Sequence, residues 1–180
     1  YAGWGVTDDR ARCPRRSRKR SVDELFSAGY VHYSRYLDPL THERGTIFDA
    51  IDWLVRQKAM ASRYSGRMIC VGFPRWRAYN LAPMLSLFPD RVKFVSGAVA
   101  AEALGPHGED CLIYWGRELP SGLGELARRC QVRLVCVEDG FIRSVGLGSD
   151  LIRPLSLVLD QRGIYFDPGQ ESDLEYLLNT

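Results

Sequence analysis

The chain of 180 residues is short of lysine and histidine and has no regular cysteine pattern. Each shortage removes a class of function. Lysine occurs only at Lys19, Lys58 and Lys93, so nearly all of the positive charge is arginine. The guanidinium fork suits phosphate and carboxylate better than an ammonium does. The five cysteines, Cys13, Cys70, Cys111, Cys130 and Cys136, are odd in number and never spaced Cys-x-x-Cys. That argues against a zinc site or a disulfide framework. Cys70, Cys111 and Cys136 stand inside apolar runs and read as small buried residues in a reducing compartment. No apolar stretch approaches the roughly 20 residues of a membrane-spanning helix, and no signal peptide is recognisable. Neither a P-loop nor Gly-x-Gly-x-x-Gly is present. A net charge of +2 gives no chain-wide field for nucleic acid.

What remains is the composition of a globular protein, 46% apolar and 26% charged. A chain of this length buries about 70% of its unfolded surface, enough for one domain or one and a half. It opens on Tyr1 rather than Met, which leads us to expect a segment of a longer protein. Two unequal parts are legible. Residues 1–64 hold a Gly/Trp-rich opening, a run crowded with arginines and two helical patterns. The run contains Arg10, Arg12, Arg15, Arg16, Arg18, Lys19 and Arg20. A solvated loop is its first reading. An anionic lipid surface, met by Arg15, Arg16 and Arg18, is the second, and nucleic acid comes last because no aromatics are interleaved. Ser21-x-x-Glu24 is a capping box that predicts a helix through about Tyr33, ended by Asp38-Pro39. Thr46-x-x-Asp49 starts a second, with Ile47, Ile51, Leu54 and Val55 on one face.

Residues 65–180 read differently. Short apolar runs at Met68–Val71, Val92–Val95, Cys111–Tyr114 and Val132–Val137 predict strands. Helical segments at Trp76–Leu87, Ala98–Leu104 and 122–129 alternate with them, Pro83 kinking the first or ending it early. That alternation predicts an α/β fold: a Rossmann-like, doubly wound parallel sheet with flanking helices, preceded by the N-terminal helical tail segment. Leu155–Leu159 and Gly163–Phe166 predict a hairpin across residues 160–163. Ser172-x-x-Glu175 caps a last helix.

The fourth apolar run stops abruptly at Glu138-Asp139, then gives way to Arg143, Ser144, Gly146 and Gly148. In open α/β sheets ligands sit beyond the carboxyl ends of the strands. A carboxylate there serves as a general acid or base if its surroundings tune its pKa. The plainer alternative is that Glu138 or Asp139 caps the next turn or pairs with Arg143. Ser144, Gly146 and Gly148 offer amides to an anion or simply form a turn needing positive φ. Two other strand ends carry similar elements. Gly72-Phe73-Pro74-Arg75-Trp76-Arg77 follows the first strand, where a helix N-terminus favours anions. Trp115-Gly116-Arg117 ends the third strand and either binds acceptor or closes the strand.

Glu138-Asp139-Gly140-Phe141-Ile142-Arg143-Ser144, the glycines Gly146 and Gly148, Pro154 to Val158 and Gly163-Ile164-Tyr165 together closely resemble the signature of the capsule-polysaccharide synthesis and export family. Its characterised members are retaining β-Kdo transferases. The element at Gly72 resembles that family's Gly-Phe-Ser-x-Trp-Lys, with Pro74 for Ser and Arg77 for Lys. Trp115-Gly116-Arg117 resembles its Trp-Gly-Lys turn. Residues 1–10, Arg15-Arg16 and Tyr33 to Pro39 resemble the end of such a module. Module-end motifs thus precede module-start motifs, as at a junction in a two-module member. Residues 1–64 would be the tail of one module, and 65–180 the N-terminal Rossmann-like domain of the next, part of a GT-B glycosyltransferase.

The resemblance implies transfer of Kdo from CMP-Kdo to a lipid-linked Kdo acceptor with retention, in the cytoplasm or at the inner-membrane surface. Glu138 is the implied catalytic acid/base. Asp139, Arg143, Ser144, Gly146, Gly148, Arg75, Trp115, Gly116 and Arg117 are the implied substrate-binding set. No metal, no nucleic-acid partner and no cofactor beyond the donor is implied. The family's Gly-Gln-x-x-x-Asp segment with its nucleophile and its His-Pro nucleotide segment are both missing. Pro168 to Asp173 reads as a helix cap, and His32, His42 and His107 have no His-Pro context. The chain alone is therefore expected to be inactive. A capsule-export or membrane- and glycan-docking module without catalysis is the alternative, and a generic nucleotide-binding domain the third.

Overall fold

The computed structural model describes residues 20–145 and 152–180. The chain divides into two compact units, Tyr1–Lys58 and Ala59–Thr180. Arg15, Arg16, Arg18, Gly146 and Gly148 lie outside the described residues.

In the first unit, α1 (Val22–Phe26) begins at the predicted capping box. Ser21 Oγ accepts from Glu24 N at 3.1 Å and Glu24 Oε2 accepts from Ser21 N at 2.9 Å. The helix continues as a π-helical segment, Ser27–Tyr33, and stops where Ser34 N and Oγ both donate to Gly29 O. The Asp38 carboxylate accepts from Leu40 N and Thr41 Oγ1. That Asx-type turn joins β1 (Tyr36–Leu37) to β2 (Arg44–Gly45). α2 (Ile47–Arg63) begins in this unit, with Thr46 and Asp49 exchanging hydrogen bonds. Ile47 is buried, whereas Ile51, Leu54 and Val55 are exposed.

The second unit runs β3 (Met68–Val71), α3 (Arg75–Leu85), β4 (Val92–Val95), α4 (Ala98–Glu102), β5 (Cys111–Trp115), α5 (Leu123–Cys130), β6 (Arg133–Asp139), β7 (Leu157–Asp160) and α6 (Asp173–Asn179). The five strands form one sheet in the order β4-β3-β5-β6-β7. β4, β3, β5 and β6 are mutually parallel. β3 and β5 are apolar at every position, and β6 from Leu134 to Val137, because both faces are covered. Ile69, Leu112, Tyr114 and Cys136 face Ala101 of α4 and Leu123, Leu126 and Ala127 of α5. Met68, Cys70, Ile113, Val135 and Val137 pack with Tyr64 and with Leu81 and Leu85 of α3. This is the expected doubly wound α/β fold. Pro83 is accommodated inside α3, which ends at Leu85, two residues short of the expected Leu87. After β3 the chain steps outward to β4, then returns to β5 on the other side. The strand order therefore reverses between β3 and β5, and their carboxyl ends open a crevice there.

Two expectations are corrected. The sheet is not wholly parallel, because β7 pairs antiparallel with β6, with Glu138 opposite Val158 and Asp139 opposite Leu157. Nor do residues 163–166 return as a hairpin partner. The buried Asp160 carboxylate accepts from Arg162 N and Gly163 N through Oδ1 and from Asp173 N through Oδ2, each at 2.9 Å. It turns the chain away and ties it to the start of α6, while Ile164 drops into the core. α6 itself starts at the expected capping box, Ser172 with Glu175.

The amino ends of β3 and β5 are clamped by an ion pair. Arg67 Nη2 donates to Asp110 Oδ2 at 2.6 Å, and the Arg67 and His107 amides donate to the same carboxylate at 2.7 and 3.0 Å. The rest of the Arg67 fork is used on Leu104 O and Gly105 O, both at 2.9 Å.

Candidate functional site

At the carboxyl ends the chain leaves β3 and β5 through glycines in the left-handed region, Gly72 (φ 77°) and Gly116 (φ 74°). That region is open to glycine without a Cβ penalty. Gly72 N donates to Val95 O at 2.9 Å, and Gly116 N to Val137 O at 3.0 Å. Both turns are thus anchored to the next strand, at the point where the sheet order reverses. The Cys136 thiol supports the second turn from below, donating to Gly116 O at 3.0 Å. Burial pushes that thiol up to about 11, so it stays protonated.

Trp115 forms the wall of the crevice. Phe73 meets its ring edge-on at 6.0 Å between centroids. The Arg77 guanidinium, from the first turn of α3, lies 3.9 Å above the same ring and 5.0 Å from that of Trp76. This is cation–π geometry. Among the described residues, the Arg77 guanidinium makes no hydrogen bond and no ion pair. Burial lowers its pKa, and the charges of Glu138 and Asp139 pull in the opposite direction.

Glu138 sits beside this cluster, half-buried at the end of β6. A Cβ placed on Gly116 would lie 3.6 Å from Glu138 Oε2. Among the described residues its carboxylate accepts one hydrogen bond, from Asp139 N to Oε1, at 3.1 Å. Burial raises its pKa most. The Asp139 amide lowers it, the Asp139 charge raises it again and Arg77 lowers it, leaving the carboxyl above its ordinary value. A carboxyl so tuned holds and releases a proton closer to neutrality than a solvated one.

Asp139 has a different task. Arg143 Nε donates to Asp139 Oδ2 at 2.6 Å, Nη1 to Ser144 Oγ at 2.9 Å and Nη2 to Ile152 O at 3.0 Å. Leu155 N returns a bond to Arg143 O at 2.6 Å, and Ser156 Oγ donates to Ile142 O at the same distance. The pair of alternatives posed by the sequence thus divides between the two acids: Asp139 pairs with Arg143 and Glu138 does not. Gly140 makes the crossing possible, since a Cβ there would lie 2.2 Å from Ser156 Oγ.

The remaining candidates scatter. Trp115 and Gly116 are in the crevice. Arg117 turns away to Asp167, at 3.2 Å. Arg75 is exposed on the first turn of α3, with no side-chain hydrogen bond among the described residues. Arg77 does join the cluster. It stands inside the element from Gly72 to Arg77, but its face-on contact with Trp115 depends on β3 lying next to β5.

The segment from residue 110 to residue 180 matches the family described as "Capsule polysaccharide biosynthesis protein". The Capsule polysaccharide modification protein LipA of Neisseria meningitidis serogroup B is 39% identical over 187 aligned residues, which take in 100% of this chain and 26% of LipA. The chain thus spans about a quarter of that relative's length. The Lipopolysaccharide-processing protein LpsZ of Rhizobium meliloti is 45% identical over 67 residues, 37% of this chain and 15% of LpsZ. Among solved structures, the Thermosulfurimonas dismutans KpsC beta Kdo 2,4 transferase is 34% identical, with a TM-score of 0.43 over 62% of this chain and 33% of that one.

Proposed function

We propose that the chain is part of a glycosyltransferase of the capsule polysaccharide biosynthesis family, whose model matches residues 110–180, and that the parent protein builds a Kdo-containing capsule glycan. The observation that carries this reading is Glu138: a half-buried carboxyl of raised pKa at the mouth of the switch-point crevice, beside an aromatic wall and an arginine. The proposed donor is CMP-Kdo, and the acceptor a lipid-linked Kdo chain. The module assignment follows the motif order: residues 1–64 end one module and residues 65–180 begin the next.

Retention by double displacement requires two carboxyl groups. A nucleophile displaces CMP from the anomeric carbon and forms a glycosyl-enzyme. The acceptor hydroxyl then attacks that carbon, releasing the nucleophile and passing its proton to Glu138. The phosphate leaving group needs little acid assistance, so Glu138 does its main work as the base of the second step. A base of raised pKa takes a proton more readily, provided it is ionised at the working pH. Asp139 is committed to Arg143, so the nucleophile and the CMP site are proposed to lie elsewhere in the parent protein. Peripheral contact with an anionic membrane through Arg15, Arg16 and Arg18 belongs to the same proposal.

The test is Glu138→Gln in the intact parent protein, assayed for Kdo transfer with natural acceptor. General acid–base catalysis contributes about 10²–10⁴-fold, and a loss of that size with unchanged folding is expected. Near-full activity in the variant would sink the acid/base role of Glu138.

A further inference from the structure

We propose that Arg77, laid on the Trp115 ring at the switch point, is the receptor for a substrate carboxylate, so that this half of the crevice takes an acidic sugar. The starting observation is an unused fork. Several arginines of the second unit are committed to carboxylates, Arg67 to Asp110, Arg143 to Asp139, Arg117 to Asp167 and Arg162 to Asp173, while Arg75, without a side-chain hydrogen bond among the described residues, stands exposed. Arg77 is different. Its guanidinium is partly buried and held between Trp115 and Trp76, yet among the described residues none of its donors has an acceptor. Glu138 and Asp139 are near enough to be felt as charges. Neither comes within the 4.0 Å of an ion pair. Stacking fixes the plane of the fork and leaves its edge free. A planar carboxylate meets such an edge with two parallel hydrogen bonds.

The neighbours select between a carboxylate and a phosphate. The turn into α3 holds a single glycine, and Pro74 supplies neither a hydroxyl nor an N–H. The multi-donor cradle that holds phosphates in glycine-rich turns is not assembled there. The Trp115 and Phe73 rings beside the fork offer a flat apolar wall instead, against which the face of a sugar packs. A sugar acid anchored at Arg77 would have its ring next to Glu138. Identifying it as Kdo rests on the transferase reading above. The carboxylate preference rests on the geometry alone.

The probes are methyl β-Kdo glycoside, its C1 carboxamide and CMP, each titrated into the chain by calorimetry and by the Trp115 indole resonance in NMR. The expected result is that the carboxylate binds about tenfold or more tightly than the carboxamide, as suits a charge-assisted pair. Arg77→Gln should make the two equal, and Arg77→Lys should restore part of the difference. Equal binding of the two glycosides to the unmodified chain, failure of both to bind at millimolar concentration, or a preference that survives Arg77→Gln overturns the proposal. So does a result in which Arg77→Gln weakens CMP and spares the glycoside, which would mark a phosphate site. The two readings fail separately. Discrimination at Arg77 without Kdo transfer by the parent protein sinks the transferase and keeps the receptor. Transfer that does not depend on Arg77 does the reverse.

Discussion

The two ends of the same sheet hold the same kinds of group and treat them oppositely. At the amino end, Asp110 meets Arg67 head-on, and the Arg67 and His107 amides take up the rest of the carboxylate. Burial raises the Asp110 pKa, but those hydrogen bonds outweigh it and the net shift is downward. At the carboxyl end, Glu138 and Arg77 are neighbours without being partners. There burial wins, and Glu138 is pushed up. A carboxylate with its acceptors filled is a clamp. One left short of donors, beside an arginine left short of acceptors, marks a candidate site.

That contrast is broken most severely at the amino end. Asp110→Ala removes one member of a largely buried pair and strands the other with two amides. Such losses cost about 3–5 kcal/mol. The Arg67 side chain keeps 30% of its exposure, so the lower figure applies. Thermal unfolding should fall by about 6–12 °C. The pH dependence follows from the lowered pKa. In the window between the folded and unfolded values, the unfolded chain binds more protons. The clamp is therefore complete above the ordinary aspartate range and is lost as pH falls through the folded value. A variant that melts with the parent chain at pH 7 would show that the clamp carries no stability.

A middling effect is expected from the scaffold of the carboxyl end. Gly140→Ala puts a methyl group within 2.2 Å of Ser156 Oγ and 2.8 Å of its Cβ. Overpacking of this kind costs about 1–3 kcal/mol. It leaves Glu138 and Arg77 in place while prising the Asp139–Arg143 loop from residues 155–156. Melting should drop by less than for Asp110→Ala, and cleavage by protease between residues 140 and 156 should quicken. Unchanged melting and proteolysis would show that the loop yields without cost.

The strands were legible because buried parallel strands are apolar on both faces, and Met68–Val71 or Cys111–Trp115 has no other place to go. Glu138 was legible for a related reason: a charge directly after such a run marks where the strand leaves the core. Pairings made by distant segments were not legible. β7 carries the same apolar signal whether it pairs parallel, antiparallel or with residues 163–166. The decision is made by Asp160, whose carboxylate satisfies three amides of the turn and of α6. Arg77 was hidden in the same way. Only five positions separate it from Gly72, but its contact with Trp115 is set by the register of β3 on β5. Of the arginines assigned by motif alone, Arg75 is exposed and Arg117 pairs with Asp167.

The smallest effect is the most telling, because its sign reverses the one at Asp110. A carboxyl whose pKa is raised on folding binds more protons in the native chain than in the unfolded one. Stability then declines as pH rises from the ordinary value of 4.5 through the raised folded value. Above its raised pKa the ionised Glu138 stands half-buried with a single hydrogen-bond donor among the described residues, which costs stability. Glu138→Gln removes that charge at nearly constant shape. The variant should melt about 1–3 °C higher than the parent chain at pH 7, the scale of a single relieved functional site. At pH 4, where both side chains are neutral, the difference should vanish. Asp110 predicts the opposite trend, with its variant catching up to the parent as the pH falls. Parallel thermal scans of the two variants at pH 4 and pH 7 therefore separate a charge that costs stability from a charge that supplies it. If Glu138→Gln melts lower at pH 7, Glu138 is a second clamp and the contrast between the two ends of the sheet disappears.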